Sequence, residues 1–371
     1  MIPLFRPSYT EEEIKLVSEA IKSHWWGCGP QVKKFEEEFR NYIGSKYAVA
    51  LNSCTAALHL AGKVLNLTPK AEVITTPITF VSTTYLALYN NLKVVFADVE
   101  EDTLNIDPSD IEKKITENTK VIVPVHYGGH CCDMDAIRKI AEENNLFVVE
   151  DAAHAMGSLY KGKKAGTLGD IGCFSFQAVK NLATGDGGMI ATNSKEFADK
   201  IKKLRWLGIN RETFDRTERD VYSWEYAIDE VGYKYQMTDI LASIGRIQLK
   251  RLEEMNKKRR ELTRIYNEAF ENVEWIETPV EKNYTYSSNH NYVIKVEKNR
   301  DKLIDYLKSK EITAGVHYLP LYKHPVLKTK KVNCPVAERV WKRILTLPLF
   351  PDMTMEEINY IIKTVKKFGG E

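Results

Sequence analysis

Apolar positions recur at three- and four-residue spacing along the first 45 residues. Thr10, followed three residues later by Glu13, predicts a capped helix with Ile14, Val17 and Ile21 on one face. A second helix is expected after Pro30, where Val32, Phe35 and Phe39 repeat at that spacing and Gly44 can end it. From Tyr47 the pattern changes. Short apolar runs at 47–51, 72–75, 93–98, 120–125 and 146–150 alternate with helical segments at 55–64, 80–90, 109–115 and 134–144. Runs such as VIVPV and LFVVE have no polar alternation, as expected for strands covered on both faces. This predicts an α/β fold with a mostly parallel central sheet wrapped by helices. Beyond residue 240 the pattern differs again. A long helix, dense in Lys, Arg and Glu, is expected over 241–270, then a strand at 289–296 and a helix near 302–308. A strand at 313–318 and a last helix at 355–368 follow. The expected organisation is a large α/β domain over residues 1–240 and a smaller C-terminal α+β domain over 241–371.

Composition adds exclusions. The 371 residues are 43% hydrophobic and 28% charged, close to globular averages. A net charge of +2 leaves no electrostatic footprint for nucleic acid or an acidic membrane surface. No apolar run approaches the ~18 residues of a membrane-spanning helix. The opening MIPLFRPSYTEEE lacks the basic-then-apolar layout of a signal peptide. The cysteines at 28, 54, 131, 132, 173 and 334 have neither disulfide-framework nor metal-ligand spacing. The expectation is a soluble, cytoplasmic enzyme without a metal.

Candidate chemistry follows from what lies beyond the strand ends, where ligands collect in an open α/β sheet. Asn52-Ser53-Cys54-Thr55 opens a helix after the first strand, and backbone N–H groups at such a start can hold an anion. Glu150-Asp151-Ala152-Ala153-His154 ends a buried strand, where a carboxylate is costly unless a cation or hydrogen bonds meet it. In GDIGCFSFQAVKNLATGDGGM, Ser175 and Lys180 sit just past an apolar strand, and a Gly-rich bend follows. Each feature alone has a bland explanation: a helix cap, a capped carboxylate, a solvated lysine. Together with the aromatic Phe80 they fit pyridoxal 5'-phosphate (PLP). Its phosphate needs a helix N-terminus and hydroxyls, its ring nitrogen a carboxylate, its ring an apolar face and its aldehyde a lysine.

The blocks NSCTAALHL, TPITFVST, VVEDAAHAMGS, GDIGCFSFQAVKN, TGDGGMIATN and VGYKYQMTDILASIGRIQL resemble, in order, the DegT/DnrJ/EryC1/StrS family of sugar aminotransferases. IPLFRPSYTEEEI, VHYLPLYKHP and ILTLPLFPDMTMEEI extend the resemblance over nearly the whole chain. It implies the type I, aspartate aminotransferase-like fold, in a homodimer that builds each active site from both subunits. It implies that Lys180 binds the cofactor's aldehyde and later acts as general acid and base, and that Asp151 pairs with the ring nitrogen. Phe80 would stack on the ring, and His154 would lie near its hydroxyl, where many members have Gln. Cys54 (through its backbone), Thr55 and Ser175 would hold the phosphate. Many members supply an Asn from the partner at the position of Lys234; in the run GYKYQ, Lys234 or Gln236 would take that place. His317 and Tyr318 would lie on the substrate side.

The implied reaction moves an amino group from L-glutamate to a nucleotide-linked keto sugar, with 4-keto-6-deoxy sugars foremost, for lipopolysaccharide or other glycoconjugate synthesis. Family members that dehydrate at C-3 resemble the rest but have His for the lysine, which Lys180 opposes. A dehydratase that forms an aromatic amino acid keeps the lysine and stays an alternative, as does a catalytically silent nucleotide-sugar-binding regulator. A nicotinamide-dependent oxidoreductase is disfavoured, because no GxGxxG follows the first strand.

Overall fold

The computed structural model describes residues 1–210, 214, 225–327 and 332–369. Two helices come first, α1 (Glu11–Lys22) and α2 (Pro30–Ile43). Strands and helices then alternate as β1 (Tyr47–Leu51), α3 (Cys54–Val64), β2 (Glu72–Thr75), α4 (Ser82–Leu88), β3 (Lys93–Phe96), α5 (Pro108–Lys114), β4 (Thr119–Val123), α6 (Met134–Asn144) and β5 (Phe147–Asp151). A small hairpin, β6 (Leu159–Tyr160) and β7 (Lys163–Lys164), precedes β8 (Ile171–Ser175), β9 (Gly188–Thr192) and α7 (Lys195–Leu204). The C-terminal part runs α8 (Asp239–Phe270), β10 (Ile276–Glu277), β11 (Thr285–Tyr286), β12 (Tyr292–Val296), α9 (Arg300–Ser309), α10 (Pro335–Val340), β13 (Ile344–Leu347) and α11 (Met355–Phe368).

The central sheet has the order β1-β9-β8-β5-β4-β2-β3. All its strands are parallel except β9, which is antiparallel to both β1 and β8. Apolar cores cover both faces, one containing Phe35, Phe39 and Phe174, the other Leu58, Leu60 and Ile201. That double burial is why these strands carry unbroken apolar runs. A second sheet, β10-β12-β13, packs against α9, α11 and the end of α8 around Tyr266, Phe270 and Tyr292. Among the described residues no helix is long and apolar enough to cross a membrane.

Three elements differ from the sequence pattern, each for a polar reason. The apolar face of α1 stays largely uncovered: Ile14 and Ile21 are 48% and 44% exposed, while Glu13 is buried. Glu13 accepts hydrogen bonds from Thr10 and from Gln248 and Arg251 of α8, so ionic pairing decides which face turns inward. Residues 313–318 form no strand; isolated bridges join Ile312 to Ile2 and Gly315 to Thr346. The carbonyl of His317 is instead taken by the Tyr127 hydroxyl, and the His317 ring bonds Thr346. The strand expected from 289 starts at Tyr292, because Asn289 has a positive φ of 48° and His290 bonds back to the Gly128 carbonyl.

The helix expected from 241 begins two residues earlier, and Asp239 explains the start. Its buried carboxylate accepts from the backbone N–H groups of Gly29 (2.9 Å), Gln31 (3.1 Å) and Val32 (3.0 Å), so the first turn of α8 also caps α2. Asp239→Ala strands those donors and is expected to lower stability by about 2 kcal/mol, with a smaller loss for Asp239→Asn, which keeps one acceptor. Urea unfolding with an unchanged m-value checks this; equal midpoints for parent and Asp239→Ala would refute the capping role.

Candidate active site

The ends of β1, β5 and β8 converge on one cleft. After β1, Ser53 caps α3 by accepting from the Ala56 N–H at 3.1 Å. Strand β9 passes so close behind this turn that a Cβ on Gly188 would lie 2.4 Å from the Ser53 carbonyl, so only glycine fits. The Thr55 hydroxyl lies 2.7 Å from that of Ser82 at the start of α4. Ser175 ends β8 and is buried, as is Cys54, whose thiol burial pushes well above its usual pKa.

Asp151 ends β5 and is buried. Its Oδ2 accepts from the Thr83 hydroxyl at 2.7 Å and its Oδ1 from the Ala153 N–H at 3.1 Å. Thr83 gives its one proton to the carboxylate, so at the 2.8 Å Thr79–Thr83 contact Thr79 is the donor. Burial raises the Asp151 pKa, against the pull of Thr83, Ala153 and the Lys180 charge. Burial also lowers Lys180 to about 8, although Asp151 pulls the other way. These groups, with Phe80, His154, His317 and Tyr318, line a cavity of about 370 Å³. Phe80 is 58% exposed at its mouth.

The imidazoles of this region are neutral. Burial and the Lys180 charge hold His154 well below its ordinary value and His317 at about 4. His154 Nδ1 accepts from the Gly128 N–H at 3.4 Å, so its Nε2 carries the proton at the 3.2 Å contact with the Tyr318 hydroxyl. Tyr318 is driven upward by burial and by Asp151 and stays protonated. Among the described residues, Lys180 is the one cation lining the cavity, and Asp151 and Asp186 are its two acids.

Lys234 and Gln236 do not line this cavity within their own chain. Gln236 bridges Leu51 at the sheet edge, and the Lys234 ammonium lies 3.6 Å over the Trp206 ring. Sequence reasoning missed Thr79, Thr83, Asn181 and His290. For the threonines a signal existed, since 79 and 83 are one helical turn apart in TPITFVST. A larger cleft of about 870 Å³ lies among Lys33, Arg40, Lys46 and Lys202 near the start of β1, away from these chemical groups.

The profile of the DegT/DnrJ/EryC1/StrS aminotransferase family matches residues 7–366. The chain belongs to this family. Spore coat polysaccharide biosynthesis protein SpsC of Bacillus subtilis is 42% identical over 98% of this chain and 96% of its own length. Spr1654 of Streptococcus pneumoniae, in its PMP-form, superposes with a TM-score of 0.94 at 32% identity, covering 100% of this chain and 99% of that one. Its PLP-form gives 0.93. Helicobacter pylori PseC, an aminotransferase involved in the biosynthesis of pseudoaminic acid, gives 0.93 at 29% identity, with 100% and 99% coverage. The protein is a PLP-dependent aminotransferase of the type I fold.

A Lys180 pKa of about 8 makes its amine half neutral at a pH where an ordinary lysine is about 1% neutral or less. In cofactor-free protein, acylation of Lys180 followed by peptide mass spectrometry is expected to rise through pH 8. Asp151→Asn should move that midpoint further down, since the carboxylate favours the charged amine. A midpoint near that of surface lysines would refute the desolvated environment.

Proposed function

We propose that this protein is a sugar aminotransferase that moves an amino group from L-glutamate to a nucleotide-linked keto sugar, of the 4-keto-6-deoxy kind. The observation that carries the reading is a desolvated lysine and a buried carboxylate in one cavity beside a helix start. The names of SpsC and PseC support sugar chemistry, and with it a place in lipopolysaccharide or other surface glycoconjugate synthesis. All six cysteines are free thiols, which suits a cytoplasmic setting.

The donor set fits PLP. The N–H groups at the start of α3, with the hydroxyls of Thr55 and Ser175, suit a phosphate. Asp151 suits the ring nitrogen, Phe80 the ring face, and His154 the ring hydroxyl. When bound, PLP supplies the electron sink for the carbon next to the transferred nitrogen. The remaining work falls to the protein. Asp151, costly to ionise where it is buried, is stabilised by a cationic partner and so keeps a proton on the ring nitrogen. Lys180 holds the cofactor at rest; once released, its partly neutral amine takes a proton from one carbon and returns it to another. Neutral His154 and the protonated Tyr318 orient polar groups without adding a second positive charge. His317 and Tyr318, which also line the cavity, would face the substrate.

The charge balance supports a shared site. A cofactor phosphate, the carboxylates of glutamate and the phosphates of a nucleotide bring several negative charges to a cavity lined, among the described residues, by one cation. In the proposed homodimer, Lys234 or Gln236 of the partner subunit reaches the cofactor phosphate. The domain division proposed is 1–240 for cofactor binding and 241–371 for the smaller unit, the two facing each other across the cavity.

Lys180→Ala is expected to abolish the glutamate half-reaction and leave the fold intact, whereas Asp151→Asn should weaken PLP and cut turnover at least about a hundredfold. Retained turnover in Lys180→Ala would overturn the assignment. Refolding Lys180→Ala chains with chains carrying Lys234→Glu and Gln236→Ala should restore activity through hybrid dimers with one intact site. An active monomer, or proven hybrids without activity, would exclude sharing. A panel of nucleotide-linked keto sugars then tests the acceptor.

A further inference from the structure

We infer that His290 is a positioning residue, which holds the loop carrying Lys180 through a hydrogen bond to Asn181. The inference rests on the reading of Lys180 as the amine that binds the cofactor.

The loop closes on itself through backbone bonds, Ala178 N–H to the Gly185 carbonyl (2.9 Å) and Thr184 N–H to the Phe176 carbonyl (2.8 Å). Inside it, Asn181 is buried and points away from the cavity toward the C-terminal part of the chain. Its Nδ2 donates to Asn256 Oδ1 of α8 (2.8 Å) and to the Ser288 carbonyl (2.9 Å). With both amide protons used, its Oδ1 is the acceptor at the 3.0 Å contact with His290 Nδ1. The proton of His290 is thereby placed on Nδ1. Asn256 is fixed in turn, donating to the Met156 carbonyl at 3.0 Å.

The His290 ring is held on both sides. Phe5 stacks on it with centroids 5.6 Å apart, and His154 tilts against it at 4.5 Å. The charged or titratable groups that act on it are Lys180, His154, Arg259 of α8 and His317. Burial, with the charges of Lys180 and Arg259, keeps it neutral, so its Nδ1–H stays a neutral donor at working pH. One imidazole thus joins the residue after Lys180 to His154. Losing the donor leaves the Asn181 oxygen buried and unpaired, which the loop can relieve only by shifting toward solvent. The water that such a shift admits favours a protonated nitrogen at Lys180.

The test compares His290→Phe, which keeps the ring and removes the donor, with His290→Asn, whose amide nitrogen falls near the position of Nδ1. Each PLP-loaded variant is titrated by visible absorbance, and the glutamate half-reaction is followed in single turnovers. His290→Phe is expected to raise the midpoint of the visible band by about half a unit to one unit. It should slow the half-reaction about ten- to a hundredfold, with KM for glutamate changed about twofold or less. His290→Asn should restore most of both values. Asn181→Ala combined with His290→Phe should be no worse than the more damaging single change. A merely structural role would lower Tm in His290→Phe and leave the midpoint in place, which overturns the inference. So does equal damage in the Phe and Asn variants. A parent protein in which borohydride fixes no PLP to Lys180 would instead overturn the assignment of Lys180, and this inference with it.

Discussion

A negative charge buried at the end of a β-strand constrains everything around it. Asp151 sits out of water, where an ionised carboxylate is unstable without partners. The protein provides only part of what it needs: one hydroxyl, one backbone N–H and the nearby charge of Lys180. In the proposed reading, the unmet remainder would give a cationic ring nitrogen its reason to bind. The same burial works on Lys180 in the opposite sense, lowering its proton affinity to the range where an amine can both give and take a proton. A wetter cleft would lose both effects.

The residue before Asp151 makes the contrast clear. Successive side chains on a strand point to opposite faces, so Glu150 turns away from the cavity. Its carboxylate is fully buried and fully met by the protein: the N–H groups of Gly166 (2.8 Å), Leu168 (2.6 Å) and Gly169 (2.6 Å), and His126 Nε2 at 2.9 Å. Because His126 Nδ1 accepts from the Cys132 N–H, its proton lies on Nε2, toward Glu150. Two adjacent acids thus take different work. Glu150 ties the loop before β8 to the sheet, and Asp151 is left with capacity for a ligand.

Polar pairing also sets how the outer helices dock. Glu13 draws α1 onto α8 against its own apolar stripe, and Asp239 joins the start of α8 to the start of α2. The long helix carries Asn256 as well, which meets Asn181 beside Lys180. One element therefore bears on the N-terminal helices, the C-terminal sheet and the lysine loop.

The chain's pattern was enough to read the central architecture, because strands buried on both faces must be continuously apolar and the helices between them must be amphipathic. The motifs after those strands named Thr55, Asp151, Ser175 and Lys180, which line the cavity, since strand ends and helix starts are local features. Three things were not legible. The inward face of α1 and the irregular course of 313–318 depend on partners 235 and 29 residues away, which no local period encodes. Thr83 and His290 acquire their roles only where another element brings Asp151 or Asn181 within 3 Å. And the proton affinities of Lys180 and Asp151 follow from how much water the assembled fold excludes, a property of the tertiary structure that residue type alone does not carry.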